Sequence, residues 1–223
     1  MTVLDHPAET ISDSAYKRMR SDIIFGRLAP GQKLKLDKLK TGYGVSISTL
    51  REILSRLASE GLVLAEGQRG FEVSQVSAEN LKEIAELRQL LEGHALAQSF
   101  AAGDMEWEGR VVAAHHKLAA MERLMQSGDR SHTETWKRYD WEFHQALISA
   151  CGSYALMETH AGVFDKYLRY QMIALSFRGE IAAREHKMLL DCALKRDAEK
   201  AQRVLADHVK GGVEHALATG TIS

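Results

Sequence analysis

Both prolines of this chain, Pro7 and Pro30, lie near its start, and none follows. Proline inside a helix removes a backbone donor and clashes with the preceding turn, so a proline-free stretch of this length can run as long, unbroken helices. From Ser77 onward apolar residues return every three or four positions. The pattern is interrupted only at Gly103-Asp104, Ser127-Gly128-Asp129, Cys151-Gly152-Ser153, Gly179 and Arg196-Asp197. It predicts helices over 77–102, 104–127, 131–150, 154–178, 179–195 and 197–218.

The part before Ser77 reads differently. A helix over 12–26 carries Ala15, Met19, Ile23 and Ile24 on one stripe and ends at Phe25-Gly26. LAPGQKL turns into a short extended piece. A short helix from Asp37 to Tyr43 follows, and then a helix capped by Ser46 or Ser48 that carries Leu50, Ile53, Leu54 and Leu57 to Gly61. LVLA and FEVSQV flank the turn EGQRG and predict a β-hairpin. Helix, short helix, helix, hairpin is the order of a winged helix-turn-helix. The fold class is therefore mainly α: an N-terminal winged helix-turn-helix domain over 10–76, then an all-α helical bundle over 77–220.

Charge separates the same two parts. Ser12 to Gln75 carries Lys and Arg in excess by roughly +4, although the whole chain has a formal charge of −1. A basic first third beside an acidic remainder suits a polyanion partner for the first third alone. No apolar run approaches the roughly 18 residues of a membrane span, and the first thirteen residues lack the apolar core of a secretory signal. With two cysteines there is no disulfide framework, so the expected setting is a reducing cytoplasm.

The segment YDWEFHQAL raises a chemical question. Asp140 and His144 are four apart, so they share one helix face with Trp136, Phe143 and Leu147. A carboxylate and an imidazole on an apolar face are costly unless satisfied. His186 shares a stripe with Ala182, Leu189 and Ala193, and His208 with Ala201, Val204 and Leu205. One Asp and three His on three helices are competent ligands for Zn²⁺, Ni²⁺ or a related divalent ion. By spacing alone, histidines satisfied within the core, with a helix-capping aspartate, are the more common reading. Glu142 and Glu185 adjoin these positions in sequence but belong to other helix faces. The remaining histidines, including His160 and His215, read as surface or core fillers.

Ser21 to Val73 contains DIIFGRLAPGQKLKLDKL, YGVSISTLREILSRLASEGLV and RGFEV. These strings resemble the GntR family of bacterial transcription regulators across the whole first domain. The resemblance implies binding to a palindromic double-stranded DNA operator as a homodimer, without membrane contact. It implies that Ser46, Ser48, Thr49, Arg51 and Arg56 approach DNA, with Arg69 and Gly70 on the wing. Where the family often has Ser-Arg-Thr-Pro, this chain has Ser46-Ile47-Ser48-Thr49, so one arginine contact is missing.

LRQLLEGHALAQ, D-x-x-F-H at Asp140 to His144, Glu185-His186 and His208 resemble the helical effector domain of the FadR subgroup, the FCD domain. In its metal-containing branch, the positions of Asp140, His144, His186 and His208 hold a divalent ion: Zn²⁺ first, with Ni²⁺ and Mn²⁺ as alternatives. That branch implies a small carboxylate or dicarboxylate effector beside the metal, and the whole chain resembles the subgroup that responds to carbon starvation. Arginine pairs bidentately with carboxylates, which makes Arg88, Arg169 (beside Tyr170) and Arg178 candidates for the effector contact. The implied function is a repressor controlled by that effector. A purely structural metal and, more remotely, a metal-dependent hydrolase are the rival readings.

Overall fold

The computed structural model describes residues 10–67, 70–174 and 177–222. The chain separates into two compact units that meet between Gln75 and Val76. The first contains α1 (Ile11–Ile24), α2 (Leu36–Tyr43), α3 (Ile47–Ser59), β1 (Val63–Ala65) and β2 (Phe71–Val73). β1 and β2 pair antiparallel with Val63 opposite Val73, and a bridge from Lys33 to Glu72 adds the extended piece before α2 to that ribbon. Met19 and Ile23 of α1, Leu50, Leu54 and Leu57 of α3, and Val73 of the wing form the core of this unit.

The second unit contains α4 (Ala78–Ala102), α5 (Met105–Gln126), α6 (Thr133–Ile148), α7 (Tyr154–Ile173), α8 (Glu180–Lys195) and α9 (Ala198–Ala218). Side-chain caps start four of these helices. Ser77, Asp104, Ser153 and Asp197 accept from the backbone N–H of Asn80, Trp107, Leu156 and Lys200 at 2.8–3.2 Å, each worth about 1 kcal/mol. α8 ends on Arg196 with φ +58°, a left-handed conformation unusual for a residue with a side chain. Its guanidinium accounts for it: Nη2 donates to the Gly103 carbonyl at 2.9 Å and to Glu108 at 2.6 Å, and the group stacks 4.4 Å from the Trp107 ring.

α7 stops at Ile173, short of the expected 178. The apolar pattern continues past the helix because Phe177 packs edge-on against Trp136, ring centroids 5.0 Å apart. Burial of Phe177 mimics helical periodicity where the helix has ended.

α7 and α9 approach closely at Gly212, where an added Cβ would collide with the Tyr167 hydroxyl and lie 3.0 Å from Gln171 Nε2. Tyr167 donates to the Val209 carbonyl at 3.2 Å and cannot easily retreat. Gly212→Ala is therefore expected to destabilise the helical unit by about 1–3 kcal/mol. Gly93→Ala, whose Cβ would meet its nearest neighbour at 3.9 Å, should be neutral or slightly stabilising. Thermal unfolding of the two variants checks the contrast; equal melting temperatures would contradict the close approach.

Candidate metal centre

α6, α8 and α9 bring the four expected residues together. One ligand atom each from Asp140, His144, His186 and His208 lies within 4.8 Å of the others, and all four residues are buried. Donors at about 2.0–2.2 Å from a tetrahedral ion stand roughly 3.3–3.6 Å apart, so side-chain shifts of about 1 Å would bring the four onto one ion. Asp140 Oδ1 sits 3.2 Å from His186 Nε2 and 3.8 Å from His144 Nε2. Neither nitrogen has a hydrogen-bond partner of good geometry among the described residues, although both are fully buried. Two buried imidazole nitrogens that face one carboxylate without a well-aligned hydrogen bond would suit a cation held between them, and a donor set of three nitrogens and one carboxylate oxygen suits Zn²⁺.

The opposite nitrogen of each ring is held by a carboxylate from elsewhere in the bundle. His144 Nδ1 donates to Glu92 of α4, His186 Nδ1 to Glu122 of α5 at 2.6 Å, and His208 Nδ1 to Glu185 of α8 at 2.7 Å. Such partners fix the tautomer and turn Nε2 inward, the arrangement found around metal-bound histidines. Glu92 extends the network: it accepts from His160 Nε2 at 3.0 Å and from Arg88 Nε at 2.9 Å, and Gln145 meets His160 Nδ1 at 2.9 Å. Cations balance the acids, with Lys137 Nζ 3.3 Å from Asp140 Oδ2 and Arg178 paired to Glu185.

Ionisation follows from these contacts. Burial opposes the charge on Glu92, but His144 and Arg88 outweigh it and hold the carboxyl well below its usual range. Asp140 behaves alike, with burial overcome by Lys137 and His186. For His144 and His208 burial wins, pushing both downward and leaving the rings neutral. Burial would lower His186 too, but the Asp140 and Glu122 carboxylates on either side of the ring prevail and raise it to about 9. At neutral pH the metal-free cluster thus holds a proton on His186, which an arriving ion must displace.

The carboxylates and Lys137 were absent from the sequence-based site, yet a signal existed. Arg88 and Glu92 lie on the same inward stripe as Leu81, Ala85 and Leu96; Glu122 follows Leu118 on the stripe of α5; Lys137 stands between Trp136 and Asp140. Ionisable residues on a buried stripe mark a network even when they are not ligand types. Glu185, assigned to another face, reaches His208 because α9 packs beside α8. Glu142 pairs instead with Lys117 at 3.3 Å, away from the site.

Of the expected effector contacts, Arg178 lines the cavity at the ligands, and Arg88, Arg169 and Tyr170 do not. Arg88 is 1 % exposed, paired with Glu92 and sandwiched near Phe164 and Tyr167, 4.2 and 4.7 Å from their ring centroids. Tyr170 donates to Asn80 Oδ1 at 2.8 Å and receives the Ser77 N–H at 3.4 Å, so it anchors the start of α4. Arg169 is buried beside it. A cavity of about 20 Å³ touches Asp140, His186 and His208; the cations on its wall are Lys137 and Arg178, not Arg88 or Arg169.

In the first unit, Ser46 caps α3 by accepting the Thr49 N–H at 3.1 Å, and its hydroxyl meets those of Ser48 (2.7 Å) and Thr49 (2.9 Å). This hydroxyl cluster occupies the N-terminal end of α3. Arg51 is exposed, and the Glu60 carboxylate at the end of α3 pairs with Arg20 at 2.7 Å. Arg56 stacks 3.6 Å above the Tyr16 ring on α1. Gly70 adopts φ +94° at the wing tip, and Arg69 lies outside the described residues.

A winged DNA-binding head and a helical unit with a buried histidine cluster define a transcription regulator. The chain belongs to the GntR family of bacterial regulatory proteins, matched over residues 11–73, and carries an FCD domain, matched over residues 83–211. It is 36 % identical to the HTH-type transcriptional regulator BphR of Paraburkholderia xenovorans, over 92 % of this chain and 84 % of that one. It is 30 % identical to the HTH-type transcriptional repressor GlaR of Escherichia coli, over 87 % of this chain and 90 % of that one. E. coli McbR/YncC has a similar fold, with TM-score 0.77 at 20 % identity over 94 % of this chain and 98 % of that one. The relatives are transcription regulators rather than enzymes, so the hydrolase reading falls away. No helix among the described residues is long and apolar enough to cross a membrane.

Proposed function

We propose that this protein is a dimeric repressor whose grip on a palindromic operator is set by a small carboxylate, mono- or dicarboxylic, bound at a divalent ion held by Asp140, His144, His186 and His208. The observation that carries the reading is the convergence of four buried ligand atoms within 4.8 Å, two of them imidazole nitrogens that face the Asp140 carboxylate without a well-aligned hydrogen bond. Zn²⁺ is the ion the histidine-rich set favours. Held by these four side chains, the ion would supply a Lewis-acidic centre that takes an oxygen ligand by expanding its shell beyond four.

Charge supports an anionic effector. Asp140, Glu92, Glu122 and Glu185 face Arg88, Lys137 and Arg178, a formal excess of one negative charge. A divalent ion added to that balance leaves one positive charge, which a carboxylate neutralises. GlaR, a relative described as a repressor, supports repression as the mode of action.

The test titrates carboxylates into zinc-loaded protein bound to DNA from upstream of its own gene, with fluorescence anisotropy as readout. Release by at least one acid, lost on chelation, is expected. Affinity that no carboxylate alters, with or without zinc, would sink effector control and leave the ion a structural role. In the head, Arg51→Ala is expected to weaken operator binding and to lower the salt slope by about 1. An unchanged slope would remove Arg51 from the phosphate contacts.

A further inference from the structure

The cavity at the metal centre, at about 20 Å³, has room for one small group only. Any ligand larger than that group must extend into adjoining space, and two spaces adjoin it. One is an open groove of about 850 Å³ that shares Arg178 with the cavity. Its walls carry Glu185, Asp207 and Glu214 against Arg178 and Lys210, an acidic balance that repels an anion. Arg178 also closes the way to the centre, held by Glu185 and donating to the His208 carbonyl at 3.1 Å.

The other space is a more enclosed chamber of about 220 Å³. It shares Trp136, Lys137 and Gln171 with the small cavity, so one layer of side chains separates them. Two of the three, Lys137 and Gln171, are long and flexible and are joined to each other by a hydrogen bond. Beyond them the walls are Met125, Trp136, Met172 and Phe177, with Thr133 and Arg130 among the polar lining. Methionine and aromatic walls suit a flat apolar group. The size suffices, since an apolar cavity of about 150 Å³ accepts benzene.

We propose that the effector is an acid with an apolar body: its carboxylate enters the small cavity beside Lys137, and its body fills the chamber walled by Met125, Trp136, Met172 and Phe177. The inference rests on the carboxylate-at-metal reading above and adds the chemistry of the remainder of the molecule. The side chain that sets tail size is Thr133, which faces the chamber from the first turn of α6.

The experiment measures binding of acetate, glutarate and 3-phenylpropanoate to zinc-loaded full-length protein by calorimetry. 3-Phenylpropanoate is expected to bind about tenfold or more tightly than acetate, through burial of its ring. Thr133→Phe should erase that advantage while leaving acetate affinity unchanged, which also shows that the variant is folded. Lys210→Glu, in the open groove, should alter neither. Acetate binding without a gain from the phenyl group would overturn this inference and leave the carboxylate reading standing. So would glutarate binding as tightly as 3-phenylpropanoate, or a gain that persists in Thr133→Phe. If zinc binds but none of the three acids does, both readings fall together.

Discussion

Zinc added to the metal-free protein is expected to raise its melting temperature by about 8–16 °C, and His186→Ala to abolish that rise. An ion at a thousandfold excess over its dissociation constant stabilises the folded state by about 4 kcal/mol. For a chain of this size each kcal/mol moves the midpoint by about 2–4 °C. His186 is the ligand to remove because it touches Asp140 on one side and Glu122 on the other. Its loss deletes one donor and unfastens a second. The increment caused by zinc is the informative quantity, since the variant also alters the metal-free cluster. Operator affinity of the metal-free protein should stay the same, because Arg51 and the hydroxyls of α3 belong to the other unit. A full zinc-induced shift in His186→Ala would argue that the ion, if it binds, binds elsewhere.

The second large effect is expected from Arg88→Ala. Arg88 and Glu92 are 1 % and 0 % exposed, and they form a buried pair one helical turn apart. Removing one partner of such a pair leaves an uncompensated charge in the interior and costs about 3–5 kcal/mol. The loss should appear with or without zinc and with or without a carboxylate. That independence separates it from a ligand-binding arginine, whose removal would matter only when ligand is present. Replacing both residues, Arg88→Met with Glu92→Gln, should cost less than Arg88→Ala alone, because no charge is then stranded. Circular-dichroism melts of the three proteins decide the matter; a melting temperature for Arg88→Ala close to the parent's would deny the pair its structural role.

Much of the architecture was legible because simple signals agreed. Missing proline, Gly, Ser and Asp breaks, and apolar stripes at helical spacing all agreed, and caps at Ser77, Asp104, Ser153 and Asp197 lie at those boundaries. The ligand quartet was legible in part. Asp140 and His144 are local neighbours on one helix, but their meeting with His186 and His208 depends on how α6, α8 and α9 pack, which no local pattern encodes. Spacing could not exclude satisfied core histidines, and the choice of a metal rested on resemblance. Less legible were groups that act through others. Glu122 contacts a histidine 64 positions away and Glu92 one 52 positions away, distances over which a single sequence carries no pairing information. Arg169 and Tyr170 were named because arginine pairs with carboxylates, a chemical preference that carries no position; in the fold the Tyr170 hydroxyl ties α7 to the first turn of α4.

The carboxylates behind the three imidazoles have one more consequence. With each ring pinned from behind by a separate helix, the opening between the rings has a size of its own before any guest arrives. A larger cation could enter only by dragging helices apart. Choice among metals of similar chemistry therefore falls to radius and preferred angles, decided by the scaffold instead of by the guest.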